Sequence, residues 1–206
     1  GSTRAGIAIS KNAADTVKRV SLELGGKGAN IVFADAGEKA VVQGVRHLLG
    51  NTGQSCNAPS RMLVERSIYG QAVEQATAEF AKTQVGLASD SGRHLGPVVS
   101  ELQYEKIQAL IQAAIDEGAR LVVGGTGKPQ GFDTGYYVKP TVFQGHNKMR
   151  IFQEEIFGPV LSVTTFKDEA EALQIANDTL YGLGAGVWSR DGARAFRMGR
   201  AIQAGR

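Results

Sequence analysis

The sequence predicts an α/β domain with a mainly parallel sheet flanked by helices. Short apolar runs typical of buried strands alternate along the chain with longer segments in which apolar residues recur at helical spacing. Many of the 27 glycines fall between these segments, where tight turns or close backbone approach need them. Because strands that alternate with helices of this length form parallel sheets, both observations favour the same fold class.

The predicted strands span residues 19–24, 29–33, 62–64, 121–123, 137–142, 160–166 and 184–188. The run at 29–33 is continuously apolar, as in a strand buried on both faces, whereas 19–24 alternates polar and apolar residues. The predicted helices span residues 7–17, 39–49, 68–82, 100–117, 169–177 and 192–202. In the fourth helix, one apolar side is predicted from Leu102, Ile107, Leu110 and Ile111, and Gly118 ends the helix.

The composition excludes several classes of protein. Hydrophobic residues make up 42% and charged residues 21% of the 206, which is typical of a globular chain and not of a disordered one. The formal charge of +3, without a dense Lys/Arg run, argues against a nucleic-acid partner. No apolar stretch is long enough to cross a bilayer, so we expect no membrane partner. A single cysteine cannot form an intrachain disulfide, and we therefore expect a cytoplasmic protein.

Cys56 is the first candidate for chemistry. It follows an apolar helix and lies among small, polar and turn-forming residues, in Gly-Gln-Ser-Cys-Asn-Ala-Pro, a poor setting for a thiol that fills a core. Small neighbours leave room for a substrate carbonyl, and free backbone N–H groups there can hold a developing oxyanion. A thiol suits a reaction in which a carbonyl is captured, oxidised and released as a thioester. The alternative is a partly buried, inert cysteine.

Glu23 is the second candidate. In the alternating segment 19–24, Ser21 and Glu23 share one face, and Gly25-Gly26 then allows a sharp turn and the close approach of another backbone or a ligand. A partly enclosed carboxylate there can act as a general base on water. The alternative is a solvated glutamate at the end of a strand.

Two further segments are weaker candidates. The acidic pair Glu154-Glu155, before an aromatic residue and a Gly-Pro turn, suits the binding of a ribose diol beside a ring pocket, or is simply a loop entering a strand. The turn at residues 1–6, ahead of a helix, can present backbone N–H groups to a phosphate, although it lacks the full G-x-G-x-x-G pattern.

The three histidines, His47, His94 and His146, show no spacing that predicts a metal site, and we expect no bound metal. A hydrolase that pairs one of them with Cys56 stays open, because such partners need only be close in space.

Taken in order, three motifs resemble the NAD(P)-dependent aldehyde dehydrogenase superfamily. They are Glu23-Leu24-Gly25-Gly26-Lys27, then Gly53-Gln54-Ser55-Cys56, then Glu154-Glu155-Ile156-Phe157-Gly158-Pro159. The resemblance extends over essentially the whole chain and implies the catalytic-domain fold of that family. It implies oxidation of a small-molecule aldehyde to a carboxylic acid with NAD or NADP.

The resemblance also implies a role for each matched residue. Cys56 is implied as the nucleophile that forms a thiohemiacetal and then a thioester, and Glu23 as the base that activates water. The implied cofactor-binding residues are Gly1 and Ser2 at the phosphates, Ala5 near the adenine, Leu24 and Gly25 near the nicotinamide, Glu155 at its ribose and Phe157 beside its ring.

Enzymes of that family are more than twice as long as this chain. The resemblance therefore implies that residues 1–26 are the C-terminal remnant of the dinucleotide-binding domain and that residues 27–206 are a truncated catalytic domain. It implies a homodimeric or homotetrameric parent protein and a fragment that is inactive alone. Two alternatives remain: a non-catalytic folded fragment, and a family member that transfers the acyl group to coenzyme A.

Overall fold

The computed structural model describes residues 1–205, which form a six-stranded sheet with helices on both faces. The strands are β1 (Ala29–Val32), β2 (Arg61–Glu65), β3 (Arg120–Val123), β4 (Thr141–Gln144), β5 (Val160–Phe166) and β6 (Ala185–Trp188). Their order across the sheet is β3-β4-β5-β2-β1-β6, and only the edge strand β3 is antiparallel to its neighbour. The predicted fold class, α/β with a mainly parallel sheet, is confirmed.

The helices are α1 (Thr3–Ala14), α2 (Lys39–Leu49), α3 (Tyr69–Ala81), α4 (Glu101–Asp116), α5 (Arg150–Gln153), α6 (Glu169–Asn177) and α7 (Gly192–Ala201). The central strands alternate their apolar side chains between the two layers that these helices make. Val32 and Met62 pack in the cluster that includes α2 and α3, whereas Ile31 and Leu63 pack in the cluster that includes α6 and α7. Burial on both faces explains the continuous apolar runs of β1 and β2.

Helix ends follow the local sequence. Ser100, Asp168 and Asp191 each accept a hydrogen bond from a backbone N–H in the first turn of α4, α6 and α7, respectively. Gly118 has φ +84° just beyond α4, the left-handed conformation that glycine adopts most readily after a helix. The bounds predicted for α2, α6 and β5 are confirmed.

Residues 19–24 do not form the predicted strand. The segment has no regular secondary structure and is mostly exposed, with Val20 at 39% and Leu22 at 43% exposure, and no neighbouring strand within residues 1–205 pairs with it. Helix α1 begins at Thr3, four residues before the predicted start, because the Ser2 hydroxyl accepts a hydrogen bond from the N–H of Ala5.

Two other predictions need correction, and one helix was not predicted. The strand predicted at 137–142 begins at Thr141, after Pro140, which has no N–H to donate to a ladder. Leu102 is 77% exposed and does not join Ile107 in the core. The single-turn helix α5 was not predicted, since four residues carry no helical periodicity.

Buried Arg61, the first residue of β2, ties the sheet to α6. Its guanidinium donates to the carbonyl oxygens of Ile175 (3.0 Å) and Ala176 (2.9 Å), at the C-terminal end of α6, and to Oδ1 of Asn147 (2.9 Å). The last carbonyls of a helix have no partner within the helix. Arg61 therefore satisfies the buried carbonyl of Ala176, whereas the carbonyl of Ile175 also accepts the N–H of Asp178 (3.2 Å).

We expect Arg61→Met to lower the free energy of unfolding by about 2–4 kcal/mol, because methionine keeps the volume but leaves the buried carbonyl of Ala176 and the side chain of Asn147 without this donor. Arg197→Met is the matched control, since Arg197 makes an exposed ion pair with Glu169 and its loss should change the free energy of unfolding far less. Urea unfolding of the 206-residue chain measures both. Equal effects of the two substitutions would contradict this role of Arg61.

Candidate active site

The candidate site lies where three loops enter neighbouring parallel strands. Glu23 precedes β1, Cys56 precedes β2 and Glu155 precedes β5, and these strands are adjacent in the order β5-β2-β1. Loops that enter adjacent parallel strands lie side by side at the amino ends of those strands, which we call the amino edge of the sheet. The site is therefore at the amino ends of the strands, opposite to the carboxyl edge that many α/β proteins use.

A strained turn delivers Cys56 to this edge. Helix α2 ends at Leu49, and Asn51 (φ 50°), Thr52 (φ 56°) and Gly53 (φ 74°) follow in left-handed conformations. Such conformations are costly for residues other than glycine and persist only where surrounding contacts hold them. The side chain of Asn51 donates to the carbonyl of Gln54 (3.0 Å), and the hydroxyl of Thr52 donates to that of Gly96 (3.3 Å).

The thiol of Cys56 lies beside the carboxylate of Glu23. Hydrogen bonding to Glu23 raises the pKa of the thiol most, and burial and the negative charge of Glu23 raise it further. The backbone N–H groups of Asn57 and of Cys56 itself oppose this shift, because they stabilise the thiolate. Cys56 is half-buried, and the side chain of Glu23 is 61% exposed, so Glu23 is less enclosed than the sequence suggested.

Gly25 and Gly26 allow the three loops to touch. The N–H of Gly26 donates to Oε1 of Glu155 (3.0 Å). A Cβ on Gly25 would overlap the carboxylate of Glu155, and one on Gly26 would overlap the carbonyl oxygen of Cys56. No larger residue fits at either position without moving these groups.

The third loop is fixed by its own contacts. The N–H of Glu155 points to the hydroxyl of Tyr181 (3.5 Å), and Phe157 is half-buried with φ 58°. The side chain of Glu154 pairs instead with Arg150 (2.7 Å), so the two adjacent carboxylates diverge and only Glu155 faces Gly25 and Gly26.

The remaining predicted residues lie around α1. Gly1 approaches the carbonyl oxygen of Glu23, and the side chain of Leu24 packs against Gly1 and Gly6. Ser2 uses its hydroxyl to cap α1 through the N–H of Ala5 (3.3 Å). The first turn of α1 therefore lies next to the segment that leads to Gly25.

Lys27 was not predicted from the sequence to be a site residue, yet it directly follows Gly25 and Gly26 in the chain. It is 1% exposed, and its Nζ has no hydrogen-bond partner in the described part of the chain. Burial and the nearby charge of Arg61 lower the pKa of Lys27 to about 7, and the charge of Glu155 opposes this. Its only signal in the sequence is its position directly after Gly25-Gly26.

Residues 1–205 contain neither a membrane-spanning helix nor a metal-binding cluster. No helix there is both long and apolar enough to cross a membrane. No group of three or more His, Cys, Asp or Glu side chains is arranged to hold a metal ion in the same residues.

The contact with Glu23 predicts how Cys56 reacts. We expect Glu23→Gln to lower the pKa of the thiol, because the amide carries no negative charge to disfavour the thiolate. Alkylation of the chain by iodoacetamide near pH 8 then becomes about 3- to 10-fold faster. Glu74→Gln on α3 is the control and leaves the rate unchanged. A rate unaltered by Glu23→Gln across pH 6–10 would contradict the contact.

The sequence matches the aldehyde dehydrogenase family over residues 1–206. Acetaldehyde dehydrogenase 2 of Cupriavidus necator is 53% identical over 214 residues, which cover 100% of this chain and 42% of that protein. The long-chain-aldehyde dehydrogenase of an Acinetobacter species is 47% identical over 212 residues, with the same coverage of both chains.

Solved structures give the same result. An aldehyde dehydrogenase from Bartonella henselae superposes with a TM-score of 0.97 at 59% identity, over 98% of this chain and 43% of that one. Betaine aldehyde dehydrogenase from Staphylococcus aureus, solved with NAD+, superposes with a TM-score of 0.95 at 40% identity, over 100% of this chain and 41% of that one. This chain thus spans about 42% of the length of the curated relatives it matches. On its sequence and its fold, the chain belongs to the aldehyde dehydrogenase family.

Proposed function

We propose that the protein to which this sequence belongs oxidises a small aldehyde to a carboxylic acid with NAD or NADP. In this proposal Cys56 is the nucleophile and Glu23 the general base. The observation that carries it is the meeting of the loops of Glu23, Cys56 and Glu155 at the amino ends of β1, β2 and β5, where the backbone of Gly26 lies against both Glu155 and Cys56. Relatives named for acetaldehyde and for long-chain aldehydes support the reaction class but favour no single aldehyde.

The residues present fit a nicotinamide cofactor. Glu155 holds a carboxylate against the backbone of Gly25 and Gly26, and such a carboxylate suits the two hydroxyls of a ribose. Phe157 supplies an aromatic ring next to that carboxylate, and Gly1, Ser2, Ala5 and Leu24 lie on the side where phosphates and adenine would bind. When bound, the oxidised nicotinamide accepts the hydride from the substrate carbon.

The steps assigned to this chain begin at Cys56. The thiol loses its proton to solvent, and its sulfur then forms a bond to the aldehyde carbon. The backbone N–H of Cys56 is a donor for the oxygen of the resulting thiohemiacetal. Loss of hydride from the carbon leaves a thioester on Cys56.

Glu23 then completes the reaction. The carboxylate accepts a proton from water, whose oxygen attacks the thioester carbon. The carbon–sulfur bond breaks and the carboxylic acid leaves, which restores Cys56. The exposure of the Glu23 side chain, 61%, supports this step because the attacking water and the released proton need access to solvent.

We propose the same division of the chain that its resemblance implied. Residues 1–26 would belong to the dinucleotide-binding domain and residues 27–206 to the catalytic domain of a longer, homodimeric or homotetrameric enzyme. The exposed apolar side chains of Ile7 and Ile9 on α1, and of Val17 after it, support this division, because the described residues leave them uncovered. The 206-residue chain alone would then be inactive, and its tight binding of NAD+ in calorimetry would count against the division.

Two alternatives make different predictions. A member that acylates coenzyme A needs no base for water, and the contact of Glu23 with Cys56 therefore favours hydrolysis. A non-catalytic relative needs neither residue, and the strained turn at Asn51 and Thr52 that delivers the thiol would have no purpose in it.

In a full-length enzyme that contains this sequence, Glu23→Gln is expected to stop turnover at the thioester. One equivalent of NADH forms per site, and the steady-state rate then falls by about 100-fold or more, because no base activates water. Rapid-quench absorbance and intact-mass analysis measure the burst and the acyl adduct on Cys56.

Cys56→Ser is the control and abolishes both the burst and the adduct. Steady-state turnover that Glu23→Gln leaves unchanged would reject the assignment of the base. Formation of an acyl-coenzyme A thioester at the normal rate would favour the alternative acceptor.

A further inference from the structure

Helix α4 begins with a segment that contacts two of the three site loops. The Ser100 hydroxyl accepts the N–H of Gln103 (3.3 Å) and caps the helix, which fixes the orientation of its first turn. One residue earlier, the N–H of Val99 donates to Oε1 of Gln54 (2.8 Å), two residues before Cys56. The start of α4 is thereby tied to the loop that carries the nucleophile.

The side chain of Gln103 reaches the other loop. Its Nε2 donates to the carbonyl oxygens of Ile156 (2.8 Å) and Phe157 (3.1 Å). From the next turn of the same helix, Ile107 packs so closely on Gly158 that a Cβ there would overlap it. Helix α4 therefore holds the loop by two hydrogen bonds and one apolar contact.

Phe157 needs such support because of its backbone. Its φ of 58° lies in the left-handed region, which an aromatic residue adopts only when surrounding contacts outweigh the steric cost. The hydrogen bonds from Gln103 fall on the carbonyls at and directly before this residue. Without them, the loop keeps only the contact of Gly158 with Ile107 and the contacts of Glu155, and the ring of Phe157 is held less firmly.

We infer that Gln103 is a positioning residue that sets the place of the Phe157 ring relative to Cys56. The inference rests on the proposed function, in which that ring packs beside the nicotinamide. Because Gln103 holds the Phe157 loop and its helix is tied to Gln54, the distance from ring to thiol is set by one rigid segment. Gln103 acts through Phe157 and takes no part in bond formation.

The test uses a full-length enzyme that contains this sequence, with NAD+ as the probe. Gln103→Met keeps the length of the side chain and removes the donor, and we expect the Kd and KM for NAD+ to rise by about 10-fold while kcat changes by less than about 3-fold. The alkylation rate of Cys56 without NAD+ stays within about twofold of wild type, because the nucleophile loop keeps its own contacts.

Gln112→Met is the matched control, since Gln112 is on the same helix and donates only to exposed Asp116. It should leave the Kd for NAD+ and the kcat unchanged. Gln103→Asn provides a second variant if Gln103→Met lowers the melting temperature markedly: the amide is retained but is too short to reach both carbonyls, and we expect the same rise in Kd.

Two outcomes overturn the inference: an unchanged Kd for NAD+ in both Gln103 variants, or an equal loss in Kd, kcat and Cys56 alkylation, which indicates general disruption. Glu155→Ala in the same enzyme separates this failure from that of the proposed function. If Glu155→Ala weakens NAD+ binding and Gln103→Met does not, only the inference fails. If neither does, the proposed cofactor site is wrong.

Discussion

The site depends on the absence of side chains at Gly25 and Gly26. Within these two residues the chain touches the carboxylate of Glu155, 129 positions away along the sequence, and the carbonyl of Cys56. The hydrogen bond from Gly26 to Glu155 requires the backbone itself to be the contact surface, and any Cβ would separate the loops. One close approach thus brings together the loops that carry Glu23, Cys56 and Glu155.

The sheet makes this approach possible. Parallel pairing of β1 with β2 and of β2 with β5 aligns the three entering loops at one edge, and the burial of these strands on both faces fixes their register. Arg61 then ties the first residue of β2 to the end of α6, so the strand that follows Cys56 is held from the interior. The rigidity of the edge allows the strained backbones of Thr52 and Phe157 to persist.

Much of this arrangement could be predicted from the sequence, because hydrophobic periodicity and the positions of glycines are local features of the chain. The apolar runs predicted most of the strands, and the glycine-rich surroundings of Cys56 and Glu23 made these two residues candidates for catalysis. The exposed segment at 19–24 shows the limit: alternation predicts a strand, but a strand exists only where a partner supplies hydrogen bonds, and none of the described residues does so.

The contacts of Glu154 and Gln103 could not be predicted from the sequence in this way. Whether Glu154 or Glu155 faces the glycines depends on α5, whose single turn places Arg150 beside Glu154. Gln103 donates to the carbonyls of Ile156 and Phe157, which are more than fifty residues away in the sequence. These hydrogen bonds depend on how α4 packs, and the sequence pattern of the helix does not predict that packing. Contacts of this kind follow from tertiary packing, and sequence periodicity predicts only which face is buried.

Gly26→Ala tests most directly whether the close approach at the glycines organises the site. In the 206-residue chain, the account predicts a lower melting temperature and an altered alkylation rate of Cys56, because the new Cβ meets the carbonyl of that residue. Gly70 in α3 has open space around its Cα, and Gly70→Ala should raise the free energy of unfolding by about 0.5–1 kcal/mol without changing the alkylation rate of Cys56. A Gly26→Ala chain that melts and alkylates like the wild type would contradict the account.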